Sequence, residues 1–207
     1  YSGCFSFEYN GNEYGVIGST EGTHVFEITS GNKLNFIDSI QGSYVSSQAI
    51  TREFERYGNL LYAIGDEGNG SLQIIDLSDL PNSITLTEEI QDERVGRAHN
   101  IFIDSSRALM YLCLVTPIVN GVETSVVPLR VFSLDDPLSP ELVFSGFSDL
   151  AEVHDLELRG EIAILNCGFD GMRVYDFSDP SSPVYLNNLE FYQEQGYNHQ
   201  GSLSSNG

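Results

Sequence analysis

The sequence predicts an all-β chain: a β-propeller of four-stranded blades around a central channel, in an incomplete ring. Three observations predict it. The phrase QIIDLSDLP at 73–81 returns as RVFSLDDPLSP from Arg130 and RVYDFSDPSSP from Arg173, with a worn copy, HVFEITSGNK, from His24. These starts lie 49, 57 and 43 residues apart, and periods of ~40–50 holding several strands each read as propeller blades. Finally, 12 Phe, 11 Tyr and 20 Gly with 41% hydrophobic residues describe a β-rich globular chain with ample core, not a disordered one.

Each copy of the phrase places alternating β-branched and aromatic residues before a Ser/Thr/Asp/Pro turn. Such residues suit a pleated strand. The following prolines end it, because proline lacks the ladder N–H and restricts the residue before it. Around this organising strand the order repeats. In the second copy strands are expected at 52–56, 60–64, 72–77 and 84–87, and in the fourth at 155–158, 162–166, 172–177 and 184–189. Tyr57-Gly58-Asn59 and Arg159-Gly160-Glu161 are short hairpin connections. The third copy carries an extra loop, 116–125, with Pro117 and Asn120-Gly121, which accounts for its longer period. Four blades begin near Cys4, Arg52, His99 and His154, and a fifth opens at His199. Tyr1 and Gly207 read as cut ends of this single domain.

Thirty Asp and Glu against nine Lys and Arg give a formal charge of −21. That field disfavours nucleic acid and anionic lipid as partners and favours cations and solubility. The acids are scattered, which suits a secreted protein in salty water better than a dedicated cation-collecting face. No apolar run approaches the ~20 residues of a membrane-crossing helix. Cys113 and Cys167 lie in apolar runs, YLCLV and AILNCG. Buried thiols are expected there, with a bridge between them left open; Cys4 is the odd one out.

Aligning the repeats brings their first strands into line. At the heads stand Arg52-Glu53, His99-Asn100, His154-Asp155 and His199-Gln200, with Cys4-Phe5 in the first repeat. A propeller's first strands are innermost, so these residues form a ring at the channel entrance. His99, His154 and His199 are then candidate ligands for a divalent metal ion, with Asn100, Asp155 and Gln200 behind them. Two other readings stay open: imidazoles that seal the hub against neighbouring backbone, or a metal-free polar pocket for a small ligand, glycan or protein. Arg52, Glu53, Asn100, Asp155 and Gln200 are its ligand-binding candidates. The loop Asp66-Glu67-Gly68-Asn69-Gly70 has calcium-type ligands without EF-hand spacing, and a solvated hairpin loop explains it. His24 needs no function. Asp76, Asp176, Ser78 and Ser178 are expected to cap turns.

The stretches LQIIDLSDLP (72–81) and MRVYDFSDP (172–180) resemble LVIVD repeats. With 12–24 (NEYGVIGSTEGTH), Ala98-His99-Asn100-Ile101, Val153-His154-Asp155 and 197–201 (YNHQG), nearly the whole chain resembles the choice-of-anchor B family. Phe5 and Ser202 stand where that family usually has tryptophan. The resemblance implies a secreted or cell-surface propeller ahead of a variable anchor, and no particular activity. The resulting expectation is an extracellular binding module with a His-lined hub. The alternative is a metal-dependent oxidoreductase or hydrolase using Glu53 or Asp155 as acid/base.

Overall fold

In a computed structural model, residues 2–31 and 33–204 are described; Asn32 of the worn repeat and the chain ends Tyr1 and Gly207 lie outside them. Among the described residues there is no helix. Four antiparallel meanders follow in chain order. The first holds β1 (Ser2–Tyr9), β2 (Asn12–Gly18), β3 (Gly22–Thr29) and β4 (Lys33–Gln41). The second holds β5 (Arg52–Tyr57), β6 (Leu60–Gly65), β7 (Leu72–Asp76) and β8 (Thr85–Ile90). The third holds β9 (Asn100–Asp104), β10 (Leu109–Val115), β13 (Val127–Ser133) and β14 (Glu141–Gly146). Its extra loop forms the small hairpin β11 (Ile118–Val119) and β12 (Val122–Glu123). There Asn120 and Gly121 take φ of 53° and 77°, the left-handed pair that a tight two-residue turn requires. The fourth holds β15 (Asp155–Arg159), β16 (Ile162–Asn166), β17 (Met172–Asp176) and β18 (Val184–Leu189).

The repeated phrase is the third strand of every sheet. In all four, pairing with the outer strand slips at one equivalent place: Val25/Phe26, Ile74/Ile75, Val131/Phe132 and Val174/Tyr175. A bulge adds local twist, so the sheets share one shape. The turn after the strand is held as its composition predicts. Asp76 Oδ1 accepts the Ser78 N–H at 2.9 Å, and Asp176 Oδ1 accepts that of Ser178 at 2.7 Å.

The core lies between sheets. One apolar cluster joins the first sheet to the second, another the second to the third, and another the third to the fourth. This explains the unbroken apolar run of β6. Leu61 and Ala63 face the first sheet, while Leu60, Tyr62 and Ile64 face the third, so both sides of one strand are buried. Cys113 and Cys167 are buried free thiols in the cluster between the last two sheets. Burial pushes the Cys167 thiol up to about 12. The first strands lie side by side, β5 against β1 and β9, and β9 against β15. Among the described residues after β18 no strand is assigned, and Asn198 makes a bridge to Gly168.

Candidate functional site

Where the inner strands begin, Glu53, His99, Asn100, His154, Asp155, His199 and Gln200 line one cavity of about 160 Å³. Each sheet holds its residues there by backbone. The His99 N–H donates to the Cys113 carbonyl at 2.9 Å, and the His154 N–H to that of Asn166 at 2.7 Å. Each histidine is thereby stitched to the second strand of its own sheet at an equivalent place. His199 and Gln200 come from the trailing segment. It is tethered by Gly168 N–H to Asn198 O (3.1 Å) and Asn198 N–H to Gly168 O (2.9 Å).

The imidazoles pack on one another. Ring centres of His99 and His154 are 4.2 Å apart at 60°, and those of His154 and His199 4.1 Å apart at 46°. Among the described residues no group of three or more His, Cys, Asp or Glu side chains is placed to hold a metal ion. The three imidazoles expected from the sequence as metal ligands, His99, His154 and His199, do meet at this one cavity. His99 Nδ1 is taken by Asp66 Oδ2 at 2.8 Å, a carboxylate bond that orients the imidazole and leaves its other nitrogen available.

Asp66 does for His99 what no residue nearby in sequence does. The bond to its carboxylate raises the His99 pKa above the ordinary histidine value, against the opposing effect of burial. It also fixes the tautomer, Nδ1–H donating to Asp66, so that Nε2 is the free ring position. His154 moves the other way. Burial lowers its pKa first, and the neighbouring His99 and His199 lower it further. The His199 backbone acts in the opposite direction, and among the described residues the buried His154 Nδ1 has no hydrogen-bond partner. Burial also raises Glu53 and Asp155, each opposed by the nearby His99. Asp155 is oriented by the Asn100 amide, whose Nδ2 donates to Oδ1 at 2.6 Å. The cavity thus offers two carboxyls of raised basicity, two amides and imidazoles in unlike states.

Arg52 is placed differently from its equivalents. Buried, its Nε donates to the Ser19 carbonyl at 2.8 Å and its Nη2 to that of Tyr44 at 2.9 Å. It fastens the first sheet and the 42–51 crossover to the second and does not line the cavity. In the loop at 66–70 the two acids have protein partners. Asp66 is spent on His99 and Arg97, and Glu67 accepts the Thr51 N–H.

No protein-family profile and no curated protein matches the chain. Solved structures do. The periplasmic gluconolactonase PpgL of Pseudomonas aeruginosa superposes with a TM-score of 0.59 at 10% identity, over 88% of this chain and 55% of that one. The fold is a β-propeller. A GH43_1 enzyme from Xanthomonas citri follows at 0.47 and 10%, over 94% of this chain and 72% of that one. The chain spans about half the length of the gluconolactonase, and at this identity the likeness concerns fold alone. In propeller terms, the cavity lies where the innermost strands of the second, third and fourth blades begin. Blade register is the only sequence signal joining its histidines. Asp66, and the aromatic pair Phe169 and Tyr197 discussed below, carry no such signal.

Proposed function

We propose that this chain is an LVIVD-type propeller of the choice-of-anchor B kind, secreted or displayed at the cell surface, that binds a small polar ligand at its hub. One observation carries the binding reading: seven polar side chains from three blades and a trailing segment converge on one cavity. Its volume of about 160 Å³ is below the ~300 Å³ of drug-sized pockets, so the occupant is a small molecule or one end of a larger one. Family and location rest on the repeat phrases and the −21 charge. Titration calorimetry of the purified chain against neutral sugars, amino acids, polyamines and organic acids tests it. Binding that Asp155→Asn weakens at least tenfold supports the reading; binding indifferent to Asp155→Asn contradicts it.

A second reading, acid–base chemistry on the bound molecule, is favoured by the Asp66–His99 pair beside two carboxyls of raised pKa. Such tuning is typical of proton-transfer sites. Turnover of the bound compound, lost in both Asp66→Asn and Asp155→Asn, would distinguish it from binding alone.

A further inference from the structure

Resting on the hub-cavity reading, we infer that the ligand is a carbohydrate, bound as a single pyranose ring whose hydroxyls enter the cavity and whose apolar face meets an aromatic rim formed by Tyr197 and Phe169. The rim leads away from the cavity in two steps. Tyr197 stands edge-on to His154, with ring centres 5.5 Å apart at 90°. Phe169 stands edge-on to Tyr197 at 5.2 Å and 81°, and is 74% exposed.

This rim is held in place from several directions. The Tyr197 hydroxyl donates to Glu152 Oε2 at 2.8 Å. The paired bonds between Gly168 and Asn198 join the two segments that carry the rings. Gly168 has φ of +57°, and a Cβ there would lie 1.7 Å from Glu152 Oε1, so only glycine fits at this join. The Asp170 N–H donates to the Cys167 carbonyl at 2.9 Å, closing the tight turn that turns Phe169 outward. A large apolar side chain has been set facing water on a constrained turn, next to the polar cavity at the hub.

The chemistry of the lining selects among ligands. A cation would face His99, which its Asp66 partner holds toward the protonated state. An anion would face Glu53 and Asp155 and the field of a chain with net charge −21. A neutral molecule with closely spaced hydroxyls suits both sets, since each hydroxyl can donate to a carboxylate and accept from an amide or imidazole. The negative face of an aromatic ring attracts the weakly positive C–H groups on one side of a pyranose. An open-chain polyol offers the same hydroxyls without that flat face. A free monosaccharide and the terminal residue of a glycan present the same ring, and both satisfy the site.

The test is calorimetry, or saturation-transfer NMR, on the whole chain. The ligands are methyl hexopyranosides and pentopyranosides, the alditols glucitol and xylitol, spermidine and citrate, each with wild type, Phe169→Ala and Asp155→Asn. At least one pyranoside is expected to bind about tenfold or more tighter than its alditol. Phe169→Ala, at an exposed position that folding does not need, should weaken the pyranoside about 2- to 10-fold and leave the alditol unchanged. Asp155→Asn should weaken both. A disaccharide ending in the preferred ring separates sources: equal or tighter binding marks a glycan end, weaker binding a free sugar, and either supports the inference. If spermidine or citrate binds in an Asp155-dependent way and no pyranoside does, the carbohydrate assignment is overturned and the hub-cavity reading stands. If Phe169→Ala leaves pyranoside affinity unchanged, the rim is refuted. If nothing in the panel binds, the carbohydrate assignment fails together with the reading beneath it.

Discussion

Replacing Arg52 by methionine should unfold the protein more easily without touching its ligand site. Methionine keeps the volume of the stem and removes both charged donors. The Ser19 and Tyr44 carbonyls, reached at 2.8 and 2.9 Å, would lose a partner inside the structure. Two charged hydrogen bonds contribute about 1.5–3 kcal/mol each. Against that, methionine no longer suffers the desolvation that lowers the arginine's own pKa, and buried ions recover part of their worth when replaced by apolar groups. The net expected loss is about 2–4 kcal/mol. Urea unfolding followed by circular dichroism measures it as a lower midpoint at unchanged slope. Gly42→Ala should act in the same direction, because its Cβ would lie 2.0 Å from Arg52 Nη2. An Arg52→Met protein within about 0.5 kcal/mol of wild type, the spread of an ordinary surface change, would refute the assignment of Arg52 as an inter-blade fastener.

Two further predictions concern the inner strand and the core. Burial lifts Glu55, two residues along β5 from Glu53, to a pKa of about 7. The native state therefore keeps a proton that the unfolded chain releases between about pH 4.5 and 7, and stability falls as pH rises through that window. Glu55→Gln should stabilise the protein by about 1–2 kcal/mol at pH 8, after allowing for solvent screening, and leave it unchanged at pH 4; equal effects at both pH values would show that charge is not the cause. Leu61→Ala, fully buried between the first two blades, should cost about 2–5 kcal/mol, read from the same unfolding midpoints.

Much of the architecture is legible because each blade repeats one physical problem. The third strands β3, β7, β13 and β17 can be aligned by eye, and Asp76 and Asp176 cap their turns as their composition suggests. From that register His99 and His154 follow, since each immediately precedes an inner strand at the same height. Register says nothing of side-chain reach, and there the equivalence breaks. Arg52 is long enough to turn toward one carbonyl of the preceding blade and one of the crossover that follows it, while a histidine at its place stays at the hub. Asp66 is invisible for another reason. It lies 33 residues before its partner, in an acidic Gly-rich loop whose composition reads as solvent-facing. Phe169 and Tyr197 are equally silent, because a sequence does not separate an aromatic residue that packs from one presented to water.

The central claim is that separate blades bring their leading histidines into one electrostatically coupled hub. Proton NMR titration of the imidazoles, assigned by single His→Gln variants, tests it most directly in wild type and Asp66→Asn. His99 should titrate above the ordinary histidine value and His154 below it, with Asp66→Asn drawing His99 down and His99→Gln letting His154 rise. His99 and His154 titrating together at the ordinary value, indifferent to Asp66→Asn and to each other's removal, would contradict the account.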